Sequence, residues 1–212
     1  MNSRIGAVVL AAGGSSRLGE PKQLLTYANG ETLVHRSVRD AIDAGATPVI
    51  VVVGAHAAPV RQSVQDFIES SYDVTVIENV DWNNGLSSSI ECGVNALMGM
   101  NAGVTGVLLL TCDMPSVSLS HLQKLRDAFN AIAVRVASAY GNTRGIPAII
   151  AEEEFAQLTK LSGDKGAKSL FEQSGTVVVE LIGGAFDLDT RHDVAKWRAQ
   201  EAMNTQLPIA GE

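Results

Sequence analysis

Cysteine is scarce: Cys92 and Cys112 are the only two in 212 residues, too few and too far apart for a disulfide framework or a cysteine-rich zinc site. That suits a chain kept in a reducing cytoplasm. Basic residues are in deficit, 16 Lys and Arg against 23 Asp and Glu with a formal charge of −7, which excludes the basic footprint that wraps a nucleic-acid backbone. A loop of amides with two or three cations can still hold a small anion. Long apolar runs are missing too. The run at residues 5–10 is far short of the roughly 20 residues of a membrane span and leads into glycines rather than a cleavage site, so it reads as a buried strand and membrane partners drop out. His35, His56, His121 and His192 share no ligand-like spacing, which argues against zinc.

What is present is a hydrophobic fraction of 46% arranged in alternating strand and helix patterns. At about 100–200 residues per domain the length fits one domain, 1–212. Residues 5–10, 48–53, 74–77 and 107–110 read as strands. Between them, 31–44 has helical spacing and stops at Gly45. Val60, Val64, Phe67 and Ile68 share a second helical face, and Ile90, Val94, Leu97 and Met98 a third. Near-continuous Val, Leu and Ile in the strands predicts burial on both faces. The expected class is therefore α/β, a doubly wound, mostly parallel sheet with helices on both faces. Ser118 is placed to cap a helix carrying Leu119, Leu122, Leu125 and Phe129, and 134–140 returns as a strand. From 141 to 175 the pattern loosens into Gly, Arg and Pro with two short helical pieces, which reads as an irregular lobe with substrate elements. Residues 176–182 form a late strand, and Thr190-x-x-Asp193 resembles a capping box opening the closing helix through Trp197.

The sharpest feature is Leu10-Ala11-Ala12-Gly13-Gly14-Ser15-Ser16-Arg17-Leu18-Gly19-Glu20-Pro21-Lys22, at the end of the first strand, where an open α/β sheet binds its ligands. Small residues from Ala11 to Gly14 let the backbone approach a flat base or a phosphate, and exposed amides there can form an anion nest. Arg17 and Lys22 bring positive charge to the same loop. Gly14 and Gly19 match the glycines of a P-loop, but Glu20-Pro21 replaces its Lys-Ser/Thr pair, and no G-x-G-x-x-G occurs. Asp113, just past the strand at 107–110, is placed to project into the cleft as a hard oxygen ligand.

The pattern Leu-Ala-Ala-Gly-x-Ser-x-Arg-x-Gly-x-x-Lys resembles the signature of the MobA-like nucleotidyltransferases, most closely their molybdenum cofactor cytidylyltransferase branch. Gly85-Leu86-Ser87-Ser88-Ser89-Ile90, Cys112-Asp113-Met114-Pro115, Arg144-Gly145-Ile146-Pro147, Gly163-Asp164-Lys165-Gly166-Ala167-Lys168 and Asp187-Leu188-Asp189-Thr190 extend the match over nearly the whole chain. The resemblance implies a Rossmann-like nucleotide-diphospho-sugar transferase fold and Mg²⁺-dependent transfer of a nucleotidyl group to a phosphorylated acceptor, with release of pyrophosphate. It implies that Leu10, Ala11, Ala12, Gly13, Gly14, Lys22, Asn79, Gly85 and Ser89 bind the nucleotide, with Arg17 on the leaving phosphates and Lys22 on the α-phosphate. Asp113 and Asp189 would hold the metal. Ala12, where guanosine-specific members carry glycine, favours CTP over GTP. The nucleotide half would be about 1–115.

By the same resemblance the acceptor is molybdopterin, held by elements at about 141–190 through Arg144, Gly145, Pro147, Asp164 and Lys168, with possible delivery of the product to a molybdenum oxidoreductase. The sequence departs from the family at Met114 for glutamine, Ile146 for histidine and Lys168 for arginine. Isoleucine donates no hydrogen bond and lysine makes no bidentate contact, so a different phosphorylated acceptor, such as a sugar or polyol phosphate, stays open. From another class the rival is a non-catalytic cofactor chaperone, against which the intact Lys22 and Asp113 speak. Plainer readings stand beside these. In these, Asp113 and Asp189 serve only as caps, Ser87 to Ser89 as the start of the third helix, and Arg144 and Lys168 as surface charges. Cys112 suits buried packing rather than nucleophilic attack, and Trp82 either shapes the mouth of the base pocket or anchors a loop.

Overall fold

Valine-rich stretches set the sheet. The computed structural model describes residues 3–132, 134–163 and 166–206. In chain order the strands are β1 (Ile5–Ala11), β2 (Val49–Val53), β3 (Val74–Glu78), β4 (Gly106–Thr111), β5 (Arg135–Tyr140), β6 (Thr143–Ala151) and β7 (Thr176–Glu180). The α-helices are α1 (Leu33–Asp43), α2 (Ala57–Ser63), α3 (Gln65–Glu69), α4 (Leu86–Gly99), α5 (Leu119–Ile132), α6 (Phe155–Leu158), α7 (Lys168–Phe171) and α8 (Arg191–Gln206). Every residue of β1 and β2 is buried, as strands covered on both faces must be.

The seven strands form one sheet in the order β3-β2-β1-β4-β6-β5-β7. All neighbours are parallel except β6, which runs antiparallel to β4 and β5. Side chains alternate between two cores. Ala7, Val9 and Ala11 meet Val34, Val38, Leu122 and Leu125 of α1 and α5. On the opposite face, Val8 and Leu10 meet Ile90, Val94, Phe155 and Phe171 of α4, α6 and α7. The chain moves outward from β1 to β3 and then returns to place β4 on the other side of β1. That reversal opens a crevice beyond the carboxyl ends of β1 and β4, where such sheets bind ligands.

Several local expectations hold. Ser118 Oγ accepts from His121 N at 3.3 Å, and Asp193 Oδ2 accepts from Thr190 N at 2.8 Å while Thr190 Oγ1 accepts from Asp193 N, the reciprocal pairing of a capping box. The second helix divides into α2 and α3 at Val64, and Met98 is half exposed rather than part of the α4 core face. Among the described residues no helix is long and apolar enough to cross a membrane.

The stretch read as an irregular lobe is corrected at its start. Residues 143–151 are a nine-residue strand whose central residues are buried. Gly145 and Pro147 look like loop residues because the strand is irregular where they sit: Ala137 pairs with Ala148 and Ser138 with Gly145, so Ile146 and Pro147 fall in a bulge. A bulge is where a proline fits an inner strand, since its missing N–H breaks no ladder bond. The two short helical pieces are α6 and α7. Asp164 lies outside the described residues.

Close approach of α4 to β1 depends on glycine. A Cβ on Gly93 would lie 2.4 Å from Val8 Cγ1 and 3.0 Å from Val52 Cγ2, inside any normal contact. Gly93→Ala is expected to lower the unfolding free energy by about 1–3 kcal/mol, the usual range for overpacking, measured by urea denaturation; an unchanged midpoint would show that α4 is not held this tightly.

Candidate active site

The loop that leaves β1 is folded by its own hydrogen bonds. Ser15 adopts a left-handed φ of 51°, a costly conformation for a residue with a side chain. In return its carbonyl accepts from Leu18 N and Gly19 N, both at 3.0 Å, and its Oγ accepts from Lys22 N at 3.1 Å. The turn closes on itself and delivers Lys22 at the mouth of the crevice. Among the described residues, the amide N–H groups of Gly13, Gly14, Ser15, Ser16 and Arg17 meet no acceptor. Consecutive free amides of this kind make an anion nest.

Lys22 Nζ lies 2.5 Å from Asp113 Oδ2 and 3.0 Å from Asp189 Oδ1. Arg17 Nη2 reaches Asp189 Oδ2 at 2.6 Å, on the exposed rim. Asp113 follows β4, and Asp189 precedes α8; the two segments are stapled by Leu188 N donating to Asp113 O at 3.0 Å. Burial of Lys22 opposes its charge, but the Asp113 carboxylate, followed by Asp189, holds the pKa well above the usual lysine value. The ammonium therefore stays protonated. Asp187 stands beside this cluster, and its pKa is pushed up to about 6 by burial first and then by Asp113 and Asp189. Negative charge is in excess at this point.

Two cavities meet here. One, of about 330 Å³, is lined by Ala12, Gly13, Gly14, Lys22, Gly85 and Ser89 among others. The second, about 280 Å³, is lined by Arg144, Gly145, Lys168 and Asp187, with Met114, Ile146 and Phe171 as an apolar wall. Leu86, Thr111 and Asp113 belong to both. Asp113 therefore stands at the junction.

The sequence-based candidates are placed unequally. Leu10, Ala12, Gly13, Gly14, Lys22, Gly85 and Ser89 line the first cavity, and Arg144, Gly145 and Lys168 the second. Ala11 is buried at the strand end and lines neither. Asn79 is also withdrawn: its Nδ2 donates to Ser88 Oγ at 2.9 Å and Ser89 Oγ at 3.1 Å, so it holds the start of α4 instead of facing the cavity. Gly85, at φ 97°, is the N-cap of α4, and no serine side chain caps it. Pro147 does not line the second cavity, and its carbonyl accepts from Ser138 Oγ at 2.5 Å. Trp82 lines the first cavity and lies against Gly14, where a Cβ would come 3.0 Å from its Cζ3.

Sequence reasoning missed Asp187, Tyr140, Thr111 and Gln23. Asp187 was quoted only as part of a motif. Gln23 Nε2 donates to Ala11 O at 3.1 Å and Gly13 O at 2.7 Å. Its position directly after Lys22 was the available signal.

The donor set fits a hard divalent cation. Asp113 and Asp189 converge on one positive point, occupied by an ammonium, with surplus negative charge from Asp187 around it. Among the described residues no group of three or more His, Cys, Asp or Glu side chains is arranged to hold a metal unaided. Mg²⁺ needs only one or two protein carboxylates when phosphate oxygens and waters complete its shell.

The family model described as "MobA-like NTP transferase domain" matches residues 7–177. Nicotine blue oxidoreductase of Paenarthrobacter nicotinovorans is 30% identical over 182 residues, covering 81% of this chain and 83% of that protein. Molybdenum cofactor cytidylyltransferase of Escherichia coli K12 is 26% identical over 123 residues, 58% of each chain. The crystal structure of Rv0371c from Mycobacterium tuberculosis H37Rv is similar at a TM-score of 0.75 and 29% identity, over 94% of this chain and 99% of that one. A manganese complex of Rv0371c matches at a TM-score of 0.70 and 28% identity, over 93% and 99% of the two chains.

Cys112 adjoins Asp113 but is inert by environment: burial, then the neighbouring carboxylate, pushes its thiol up to about 12. A thiol reagent at pH 8 is expected to label Cys92 in the native protein and Cys112 only after unfolding, counted by mass spectrometry. Rapid native labelling of Cys112 would contradict the buried packing.

Proposed function

The chain belongs to the MobA-like NTP transferase family, and on that premise we propose that it transfers CMP from CTP to molybdopterin, releasing pyrophosphate. The observation that carries this reading is the meeting of two cavities at Asp113, one under the amide loop with Lys22, the other with Arg144 and Lys168. A triphosphate and a phosphorylated acceptor would then face each other across one carboxylate. The nucleotide half is about residues 1–115, the acceptor elements about 141–190. The acceptor's terminal phosphate oxygen attacks the α-phosphorus, a new P–O bond forms, and the bond to the β-phosphate breaks with its electron pair on the departing pyrophosphate. That nucleophile is already an anion. No strong general base is required, and the protein's work is alignment and charge neutralisation.

The free amides of residues 13–17 bind the phosphate oxygens. Lys22 neutralises charge at the α-phosphate, and Arg17, on the exposed rim, reaches the leaving phosphates. Asp113 and Asp189 would hold Mg²⁺, whose chemistry is to offset charge on the phosphates. The manganese complex of the similar Rv0371c structure supports a divalent metal. Ala12 in the cavity wall and the Trp82 indole narrow the base site toward a pyrimidine, which favours CTP over GTP. Arg144 and Lys168 bind the acceptor phosphate, while Met114, Ile146 and Phe171 offer apolar surface to its ring system. The scarcity of cysteine is consistent with work in a reducing cytoplasm.

A second reading is a molybdopterin-binding chaperone that delivers the cofactor to an oxidoreductase without turnover, since the cations and apolar wall of the second cavity would serve binding alone as well as transfer. Incubation with Mg²⁺, each nucleoside triphosphate in turn and molybdopterin separates the two. Transfer predicts pyrophosphate and a product whose mass is the acceptor plus CMP, with CTP preferred. Lys22→Ala is expected to lower the rate by about 10²–10³-fold, the usual loss for a group stabilising transition-state charge, with the fold retained by circular dichroism. Wild-type rates in that variant would remove Lys22 from the mechanism. Product formation with a sugar phosphate but not with molybdopterin would move the acceptor assignment.

A further inference from the structure

The nucleotide loop shows a regularity in its carbonyls. Gln23 Nε2 donates to Ala11 O and Gly13 O, and Ala55 N donates to the carbonyl between them, Ala12 O, at 3.1 Å. The next one, Gly14 O, lies 3.3 Å from His56 Nε2. A carbonyl only accepts, so that histidine nitrogen carries the hydrogen. Four consecutive carbonyls thus face donors from elsewhere in the chain. In a trans peptide the N–H points opposite to the C=O. Holding the carbonyls of residues 12 to 14 therefore turns the N–H groups of Gly13, Gly14 and Ser15 away from those donors, leaving them free for an anion.

Gln23 supplies two of the four bonds from one side chain. Both its partners can only accept, which fixes the amide orientation with Nε2 toward the loop. Gln23 is 1% exposed, and its Oε1 is buried without a hydrogen-bond partner among the described residues. Packing alone gives no reason for that orphan, since methionine would fill nearly the same space without it. We propose that Gln23 is a positioning residue that sets the polarity of the nucleotide loop, pointing its amides at the triphosphate. The assignment rests on the reading of this loop as the triphosphate site. Gln23 acts through the loop backbone and not on the reacting atoms.

Gln23→Met keeps the volume and removes both donors; Gln23→Glu sets carboxylate oxygens against two carbonyls. The test is calorimetric titration with CTP and Mg²⁺, steady-state turnover with molybdopterin, and amide hydrogen exchange of residues 12–15 in nucleotide-free protein. Expected for Gln23→Met are a rise of about tenfold in the Kd and KM of the nucleotide, as for two lost hydrogen bonds, an unchanged acceptor KM and faster exchange at 12–15. Gln23→Glu is expected to lose more. Wild-type affinity and exchange in Gln23→Met would overturn the proposal, as would a fall in kcat with nucleotide KM unchanged.

A wild-type protein that binds no nucleotide would overturn the triphosphate reading; the clamp is then judged by the exchange data alone. Should both variants fail to fold, couplings across the hydrogen bonds from the Gln23 side-chain amide to the Ala11 and Gly13 carbonyl carbons are read by NMR in the wild type. Their presence with and without CTP supports the clamp, and their absence overturns it.

Discussion

One ammonium group ties the site together. Lys22 binds two carboxylates that lie 91 and 167 residues further along the chain, joining the loop after β1, the end of β4 and the segment before α8. A half-buried cluster of this sort resists the loss of either sign, because removing one partner leaves the other uncompensated. The parallel sheet makes the meeting possible. It brings the carboxyl ends of β1 and β4 side by side, and the Leu188 to Asp113 backbone bond adds the third segment.

Around that tie the structure accepts several local costs. Ser15 sits in a left-handed conformation, Gln23 and Thr111 bury polar atoms without partners, and Asp187 is crowded by like charges. Each is unfavourable alone, and all stand within the two cavities or in the loop that forms them. Concentrated departures from local stability mark functional sites, since the rest of the fold must hold them in place. β1 and β2 show no such tension, being continuously buried and, Gly6 apart, built of Val, Leu, Ile and Ala between two apolar cores. Away from the site, the buried Arg135–Glu154 pair on the β5 side also leaves Arg135 Nε and Glu154 Oε2 without partners among the described residues.

Legibility in the sequence followed the range of the interaction. The strands of the first half and the glycine loop were readable because their signals are local: β-branched runs, small residues, two cations at fixed spacing. The doubly wound class followed from the same runs. β6 was not readable, because its bulge puts glycine and proline inside a buried strand and imitates a loop. Asn79 and Pro147 were placed near ligands, yet their side chain and carbonyl serve neighbouring residues instead. Gln23 and Asp187 escaped notice for the converse reason. Their importance lies in what they touch, a loop backbone and a charge cluster assembled by the fold.

The central claim is that the free amides of residues 13–17, with Lys22 beside them, receive the phosphates of a magnesium nucleotide. Backbone amide NMR during titration with CTP and Mg²⁺ tests it most directly. The account predicts saturable shifts concentrated at residues 12–22 and around Asp113, with inorganic pyrophosphate reproducing the part centred on the amide loop. Saturation of the protein by nucleotide with those amides unmoved would contradict it.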